Sequence, residues 1–543
     1  MPAATPVKRV VTAVALVLVL GVATAPATRA TSSATDGPLR TDGRWLVDQH
    51  GRVVLLHGVN NVDKEAPFVE LDDGFTLTAD DAALLVRHGF NTVRLGVELA
   101  GLMPTEGSID HDYIERIATV VHVLGAAGIY VLLDDHQDSL SNLFVGGNGF
   151  PAWAVNPHPF PNEPDIGWPL NSATMLSLNL AWSNFWNNTY GVVDRLGDAL
   201  AALAAGVGDD PAVLGIEVIN EPWPGTVFPT CIPLGCPLFD AQLQAVHQQV
   251  TDRIRQSAAT MNVFWEPNVL WNETIPTHLG EPPLTPAITT PGIVFSFHDY
   301  CSFSEASIYL GLPKDLVGAC DLQHDIDFDH YDAFEARSGL PALITEFGGT
   351  QDASVIARTL PRADARFLGW QYWHYASSFG PDPSPDPFTG DLGRQLVRTY
   401  PQATAGTPLA MTYDPNNGDL AYSYAPGAAS APTEIYISDL QYPAGYAVQL
   451  MGACALSAPG DRELVLRDLD GATRVDVSVS PGAGAWPACP SDAAATVAAA
   501  NASRASGSAD GTTLPATGRA EWLPAVGALL AVALTGRWLR HRA

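Results

Sequence analysis

The sequence predicts an α/β protein: a (β/α)8 barrel over residues 31–404, followed by a small β-sandwich over 405–490. Three observations carry this. Between residue 50 and about 400, eight short apolar or β-branched runs that end in polar residues alternate with helix-like stretches. No Gly-rich phosphate loop follows the first run, which argues against an open, doubly wound sheet. Beyond residue 405 the texture changes to short alternating strands split by Pro and Gly turns.

The eight runs begin with "VVLLHGVNN" at 53, "TVRLGVEL" at 92 and "IYVLLDDHQD" at 129. They continue with "GIEVINEP" at 215, "NVFWEPNV" at 262, "GIVFSFHDY" at 292, "ALITEFGG" at 342 and "FLGWQYWHY" at 367. Amphipathic stretches such as "TADDAALLVRHG" at 78 and "DYIERIATVVHVLGAAG" at 112 read as the helices between them. The tail phrases "TEIYISDLQYP", "YAVQLMGA", "RELVLRDL" and "TRVDVSVSPG" read as sandwich strands.

The ends of the chain carry other instructions. Residues 1–30 join Lys8 and Arg9 to an apolar stretch and then to the small residues Ala25, Ala27 and Ala30, the order of a cleaved export signal. Residues 491–513 are rich in Ala, Ser and Gly and read as a flexible linker. Residues 514–543 run "LPATG", a short apolar segment and a basic tail, which resembles the sorting signal of Gram-positive surface proteins. That resemblance implies cleavage by sortase between Thr517 and Gly518, transfer of Thr517 to peptidoglycan, and a secreted, wall-attached protein.

With 28 basic against 58 acidic residues the formal charge is -30, which repels phosphate backbones and excludes nucleic acid as a partner. Export favours disulfides among the six cysteines. Pairing of sequence neighbours is expected: Cys231 with Cys236, Cys301 with Cys320, and Cys454 with Cys489. None has the spacing and companion histidines of a zinc site. Nothing in the sequence speaks to oligomeric state.

Two glutamates end strands in the same manner, Glu221 after the fourth run and Glu346 after the seventh. In a (β/α)8 barrel the C-terminal strand ends face the cleft, so carboxylates there are placed for chemistry. Hydrolysis of a glycosidic bond needs one carboxyl group to protonate the leaving oxygen and a second to attack or to activate water.

"NEP" after strand four and "TEFG" after strand seven resemble glycoside hydrolase family five and its retaining clan. The resemblance implies that Glu221 is the acid/base and Glu346 the nucleophile. It extends to Arg94, His136, Asn220, His298, Tyr300 and a tryptophan on strand eight, Trp373 or Trp370. Asn220 is suited to donate to the sugar 2-hydroxyl. Arg94 and Tyr300 are expected to hydrogen-bond Glu346 and keep it ionised, whereas Glu221, lacking such donors, is expected to keep its proton.

"DHQD", "NEPWPG", "FSFHDYC" and "TEIYISDLQYPAGYAV" further resemble the endoglycoceramidases, barrel-plus-sandwich enzymes that free an intact glycan from ceramide. This likeness implies that His136, Asp138 and Lys64 hold the glycan. It also implies a glycosphingolipid substrate, which a membrane surface would present. No cofactor is expected: read alone, "DDHQD" is also a metal-ligand cluster, but no second motif at ligand spacing supports it. The loops after strands three and four carry Phe144, Phe150, Trp153, Trp168, Trp223 and Phe228, expected as a group to present an apolar surface to lipid. Two rivals stand beside this reading: a related hydrolase of β-glucosides, steryl glucosides or polysaccharide, which would use the same carboxylates, and a non-catalytic adhesin that binds glycans, which would need neither.

Overall fold

The computed structural model describes residues 35, 37–69, 76–304, 318–375 and 386–490. The leader, the linker and the "LPATG" segment with Thr517 and Gly518 lie outside the described residues. Among the described residues no helix is long and apolar enough to cross a membrane.

The chain enters through three short strands, β1 (Arg40–Asp42), β2 (Trp45–Val47) and β3 (Val53–Val54). Eight parallel strands then close into a barrel in chain order: β4 (His57–Asn61), β5 (Thr92–Val97), β6 (Tyr130–Asp135), β7 (Val213–Glu217), β8 (Val263–Trp265), β9 (Ile293–Asp299), β10 (Ala342–Gly348) and β11 (Gly369–Trp373), with β11 paired to β4. Period-two alternation divides each strand between two environments. On β5, Val93, Leu95 and Val97 join the large core between barrel and helices, while Arg94 meets side chains from four other barrel strands or their ends. The helix 111–126 shows how the outer layer forms: Asp110 caps Tyr113 N, and Ile114, Ile117, Val121 and Leu124 recur on the buried face.

The first predicted strand needs correction. Only its second half, His57–Asn61, is in the barrel; Val53–Val54 pairs instead with a strand from the far end of the chain. That partner, β12 (Tyr400–Thr404), joins β15 (Thr433–Tyr436), β17 (Ala453–Ala455) and β18 (Glu463–Asp468) to β1–β3 in a seven-stranded sheet. A four-stranded sheet, β13 (Gly406–Asp414), β14 (Asp419–Pro426), β16 (Tyr446–Met451) and β19 (Val475–Pro481), lies after the barrel. Met411, Tyr422 and Val477 of the smaller sheet share one apolar cluster with Ile435 and Leu464 of the larger. The boundary expected at residue 404 is therefore crossed twice, because residues 40–54 and 400–404 both belong to the C-terminal sheet.

This β-rich region is fastened to the barrel. Tyr400 Oη donates to Gly89 O at 2.6 Å and Tyr436 Oη to Arg87 O at 2.9 Å. Gly89 has φ +80°, and a Cβ there would sit 2.4 Å from the Tyr436 ring, so only glycine fits. Three disulfides, Cys231–Cys236, Cys301–Cys320 and Cys454–Cys489, join sequence neighbours.

Candidate active site

Glu346 sits near the end of β10, where the pairing with β9 shifts register between Ile344 and Glu346. Such a bulge re-aims a side chain. Asn60 holds it in place, its Nδ2 donating to Thr345 O at 2.8 Å and to Gln371 O at 3.0 Å. Both Glu346 oxygens are then engaged: Arg94 Nη1 donates to Oε1 at 2.5 Å and Tyr300 Oη to Oε2 at 2.8 Å.

Glu221 follows β7 through a different device. Its φ of +43° lies in the left-handed region, uncommon for a residue with a side chain, and turns the chain out of the strand. Neighbours pin that turn on both sides. The Glu221 amide donates to Glu266 Oε2 at 2.8 Å, and Gln137 Nε2 donates to Asn220 O at 2.7 Å. Burial pushes the Glu221 carboxyl up to about 7, with the nearby Asp138 charge adding to it. The expectation that Glu221 lacks donors is corrected here: Asn272 Nδ2 donates to its Oε1 at 2.9 Å, and His298 Nδ1 lies 2.9 Å from the same oxygen. Desolvation outweighs these partners.

The two carboxyl groups face one cleft. One oxygen on each of Glu221 and Glu346, together with a ring nitrogen of His298, lie within 4.8 Å of one another. Two carboxyls in a double-displacement glycosidase stand about 5–5.5 Å apart, and in an inverting one about 6.5–9.5 Å. Burial lowers His298 to about 4, so a neutral imidazole separates the two acids. Among the described residues these three are the group whose atoms converge closely enough to hold an ion. His298 spends its converging nitrogen on Glu221 instead.

Arg94 organises what lies beneath. It is fully buried, and besides Glu346 its guanidinium reaches Glu217 Oε2 at 2.6 Å, Asn220 Oδ1 at 2.7 Å, Asp134 Oδ1 at 2.9 Å and Asn60 Oδ1 at 3.0 Å. Asn220, whose Nδ2 also donates to Gln137 O at 3.0 Å, is thereby fixed beside Glu221.

A second cluster forms the glycan side. Lys64 Nζ meets Asp138 Oδ2 at 2.5 Å and lies 4.8 Å from the Trp373 ring centre; Asn148 Nδ2 donates to the same carboxylate oxygen at 2.6 Å. Burial opposes the Asp138 charge, but Lys64 and His136 hold the group well below the usual carboxylate range. His136 is pushed up to about 9: burial works against its proton, and Asp134, 2.7 Å from Nδ1, overrides it. Its ring stacks on Trp373 at 5.3 Å. Trp373 is half-buried at the end of β11, whereas Trp370 is fully buried and stacked on His57, a core position.

The sequence-predicted residues Arg94, His136, Asn220, Glu221, His298, Tyr300 and Glu346 thus form one hydrogen-bonded and ion-paired neighbourhood, with Lys64, Asp138 and Trp373 beside it. Several partners escaped sequence reading: Asn60, Asp134, Gln137, Glu217, Glu266 and Asn272. Two carried a signal. Glu266 ends its run in "EP", as Glu221 does, and Glu217 sits four residues before Glu221 in the same run. Burial, with the carboxylates of Glu217 and Glu221, drives Glu266 well above the carboxyl range.

The apolar loop residues need a correction. Phe144, Phe150 and Trp223 are buried in the core, and Trp153, Trp168 and Phe228 are partly buried, so these six cover the barrel rim.

Residues 47–378 match the cellulase family, glycosyl hydrolase family 5, and residues 398–479 match the glycoside hydrolase family 5 C-terminal domain. Endoglycoceramidase I of Rhodococcus hoagii is 53% identical over 448 residues, covering 82% of this chain and 89% of that protein. An endoglycoceramidase of Cyanea nozakii is 29% identical over 448 residues, covering 74% of this chain and 84% of its own. Among solved structures, endo-glycoceramidase II from Rhodococcus sp. in its ganglioside GM3 complex aligns with a TM-score of 0.67 at 28% identity, over 81% of this chain and 100% of that one. Its lactosyl-enzyme intermediate aligns at 0.66 and 27%, with the same coverage. Matched along both the barrel and the region after it, and carrying two strand-end glutamates across one cleft, the chain belongs to glycosyl hydrolase family 5.

Proposed function

We propose that this chain is a retaining endoglycosidase that hydrolyses the β-glycosidic bond between an oligosaccharide and ceramide. The observation that carries the chemistry is the convergence of Glu221 and Glu346 within 4.8 Å, each with its own set of hydrogen-bond partners. The aglycone comes from the relatives: one is named for endoglycoceramidase activity at 53% identity, and another was captured with a ganglioside and as a lactosyl-enzyme.

The two settings assign the steps. Glu346, donated to by Arg94 and Tyr300, is the nucleophile. Its oxygen bonds to the anomeric carbon as the bond to the ceramide oxygen breaks, and that oxygen takes the proton from Glu221. Glu221 is then a base: it removes a proton from water, whose oxygen displaces Glu346 and frees the glycan with its configuration retained. Asn220, fixed by Arg94, faces the sugar beside Glu221. His136, Asp138, Lys64 and Trp373 form the floor and polar wall for the glycan.

The β-rich C-terminal region is read as a two-sheet sandwich that buttresses the barrel. The leader and the "LPATG" segment make this an exported enzyme joined to peptidoglycan by sortase. The test is to incubate the protein with a defined glycosphingolipid, weigh both products by mass spectrometry and follow the new anomeric centre by NMR. Intact glycan, intact ceramide and a first-formed β-anomer are expected. A first-formed α-anomer, or stepwise loss of terminal sugars, would refute the reading.

A further inference from the structure

Where β9 leaves the barrel, residues 298–302 alternate between two jobs, as side chains of an extended segment do. His298 Nδ1 lies 2.9 Å from Glu221 Oε1, and Tyr300 Oη donates to Glu346 Oε2 at 2.8 Å. The residues between are taken by the outer helices. Asp299 has His324 Nδ1 2.8 Å from one oxygen and accepts from Thr359 Oγ1 at 2.7 Å on the other, and Cys301 is bonded to Cys320.

Cys320 and His324 both belong to the first turns of the helix 320–338, which places a third residue, Gln323, behind the site. Gln323 is buried. Its Nε2 donates to Asn272 O at 2.7 Å and to Tyr300 O at 2.9 Å, while its Oε1 accepts from Ser302 N at 3.0 Å. Two carbonyls on one side and an N–H on the other allow the amide one orientation. Ser302 Oγ, 2.9 Å from the same Nε2, donates onward to Glu273 Oε2 at 2.8 Å.

The two carbonyls belong to residues with matching tasks. Asn272, in the short helix 269–273 after β8, donates to the Glu221 carboxyl, and Tyr300, just past β9, donates to Glu346. Gln323 thus joins the backbone of one donor for each catalytic carboxyl, although these donors come from different strand ends. Hydrogen bonds weaken steeply as their geometry departs from linear, so small drifts of either backbone would be felt at the acids.

We propose that Gln323 is a positioning residue for the double displacement: its one amide keeps the donor to the acid/base and the donor to the nucleophile in place together. The inference rests on the assignment of those roles to Glu221 and Glu346.

The test compares the full-length wild type with Gln323→Met on a detergent-dispersed glycosphingolipid. Methionine is as long as glutamine and unbranched, and it makes none of these hydrogen bonds. Besides Glu346, the groups facing Glu221 are Asp138, His136, Lys64, His298, Glu266 and Glu273, and the exchange alters no charge among them. Gln323→Met should lower kcat/KM about tenfold or more and move the alkaline limb of its pH profile upward, in the direction of Asn272→Ala. Adding Asn272→Ala should then move the limb no further, and adding Tyr300→Phe should lower kcat by less than the product of the two single losses. The proposal fails if Gln323→Met leaves the limb in place, as a merely structural role would while lowering the melting temperature, or if either double variant is simply additive. Should Gln323→Met not fold, Gln323→Asn, which keeps the amide but draws it back by one methylene, is judged by the same readouts. Failure of the underlying roles reads differently: Glu346→Gln or Glu221→Gln would retain hydrolysis, whatever Gln323→Met does. A wild type that cleaves a cello-oligosaccharide and no glycosphingolipid would overturn the substrate class, and the Gln323 comparison would then be decided on that oligosaccharide.

Discussion

The two ends of the barrel are built from the same eight strands and solve opposite problems. At the entry end the interior is hydrocarbon: Leu56, Leu132, Leu214, Phe264, Val294 and Leu343 form one cluster, capped by Leu39 and Leu46 from the β1–β2 hairpin. At the exit end Arg94 and Asp134, Glu217, Glu266 and Glu346 replace the hydrocarbon, all buried. Burying these charged and polar groups costs free energy that their pairing only partly returns. The dry end offsets that cost, so stability is concentrated away from the chemistry and the acids can be tuned without unfolding the protein.

The division of labour is open to challenge by substitution. The largest effect is expected at the exit end: Glu346→Gln should lower kcat by about 10⁴-fold or more while the melting temperature holds. Matching losses of kcat and melting temperature would mean that the catalytic end also carries the fold. At the entry end, Leu343→Ala should cost about 2–5 kcal/mol of stability in urea unfolding and leave kcat at 25 °C near the wild-type value. A hundredfold fall in kcat with native stability would show that the two ends are coupled.

Smaller effects sharpen the contrast within the exit end. Glu221 is raised to about 7, so kcat/KM for cleavage should decline as pH rises through about 7, when the leaving oxygen loses its proton donor. The same shift bears on stability. A carboxyl group raised in the folded protein contributes fully below its ordinary value, and that contribution is lost as pH climbs from about 4.5 through about 7. Glu221→Gln should therefore melt higher than the wild type above pH 7 and equally at pH 4; the reverse order would discredit the raised value. Smallest of all, Asn272→Ala removes a donor to the Glu221 carboxylate and should move the alkaline limb upward by up to about one pH unit, read from the kcat/KM profile.

Legibility in the sequence followed the same line. The strands and the two glutamates were readable because each run is apolar and stops in a polar residue at a fixed place, which a barrel turns into position. Asp134 and Asn60 were not, since a polar residue inside a strand gives no hint of whether Arg94 answers it across the ring. The donors on Glu221 were missed for a related reason: Asn272 arrives from a single-turn 3-10 helix, Val269–Glu273, after β8, and so short an element leaves no periodic trace. The aromatic residues of the long loops misled, because composition counts apolar side chains without saying which face they take. Phe144 and Trp223 turn inward, and the exposed side chains are the less conspicuous Leu234 and Leu238.

Val54 pairs with Ala403, so strands made at the start of synthesis wait for partners made near its end. A ribosome that has delivered the whole barrel has still not delivered the outer neighbour of β3, and the seven-stranded sheet cannot form. Completion of that sheet is thereby delayed until the strands after residue 400 have emerged. It also ties the two halves so that a catalytic fragment cut before β12 would start life with an open sheet edge and a tendency to aggregate.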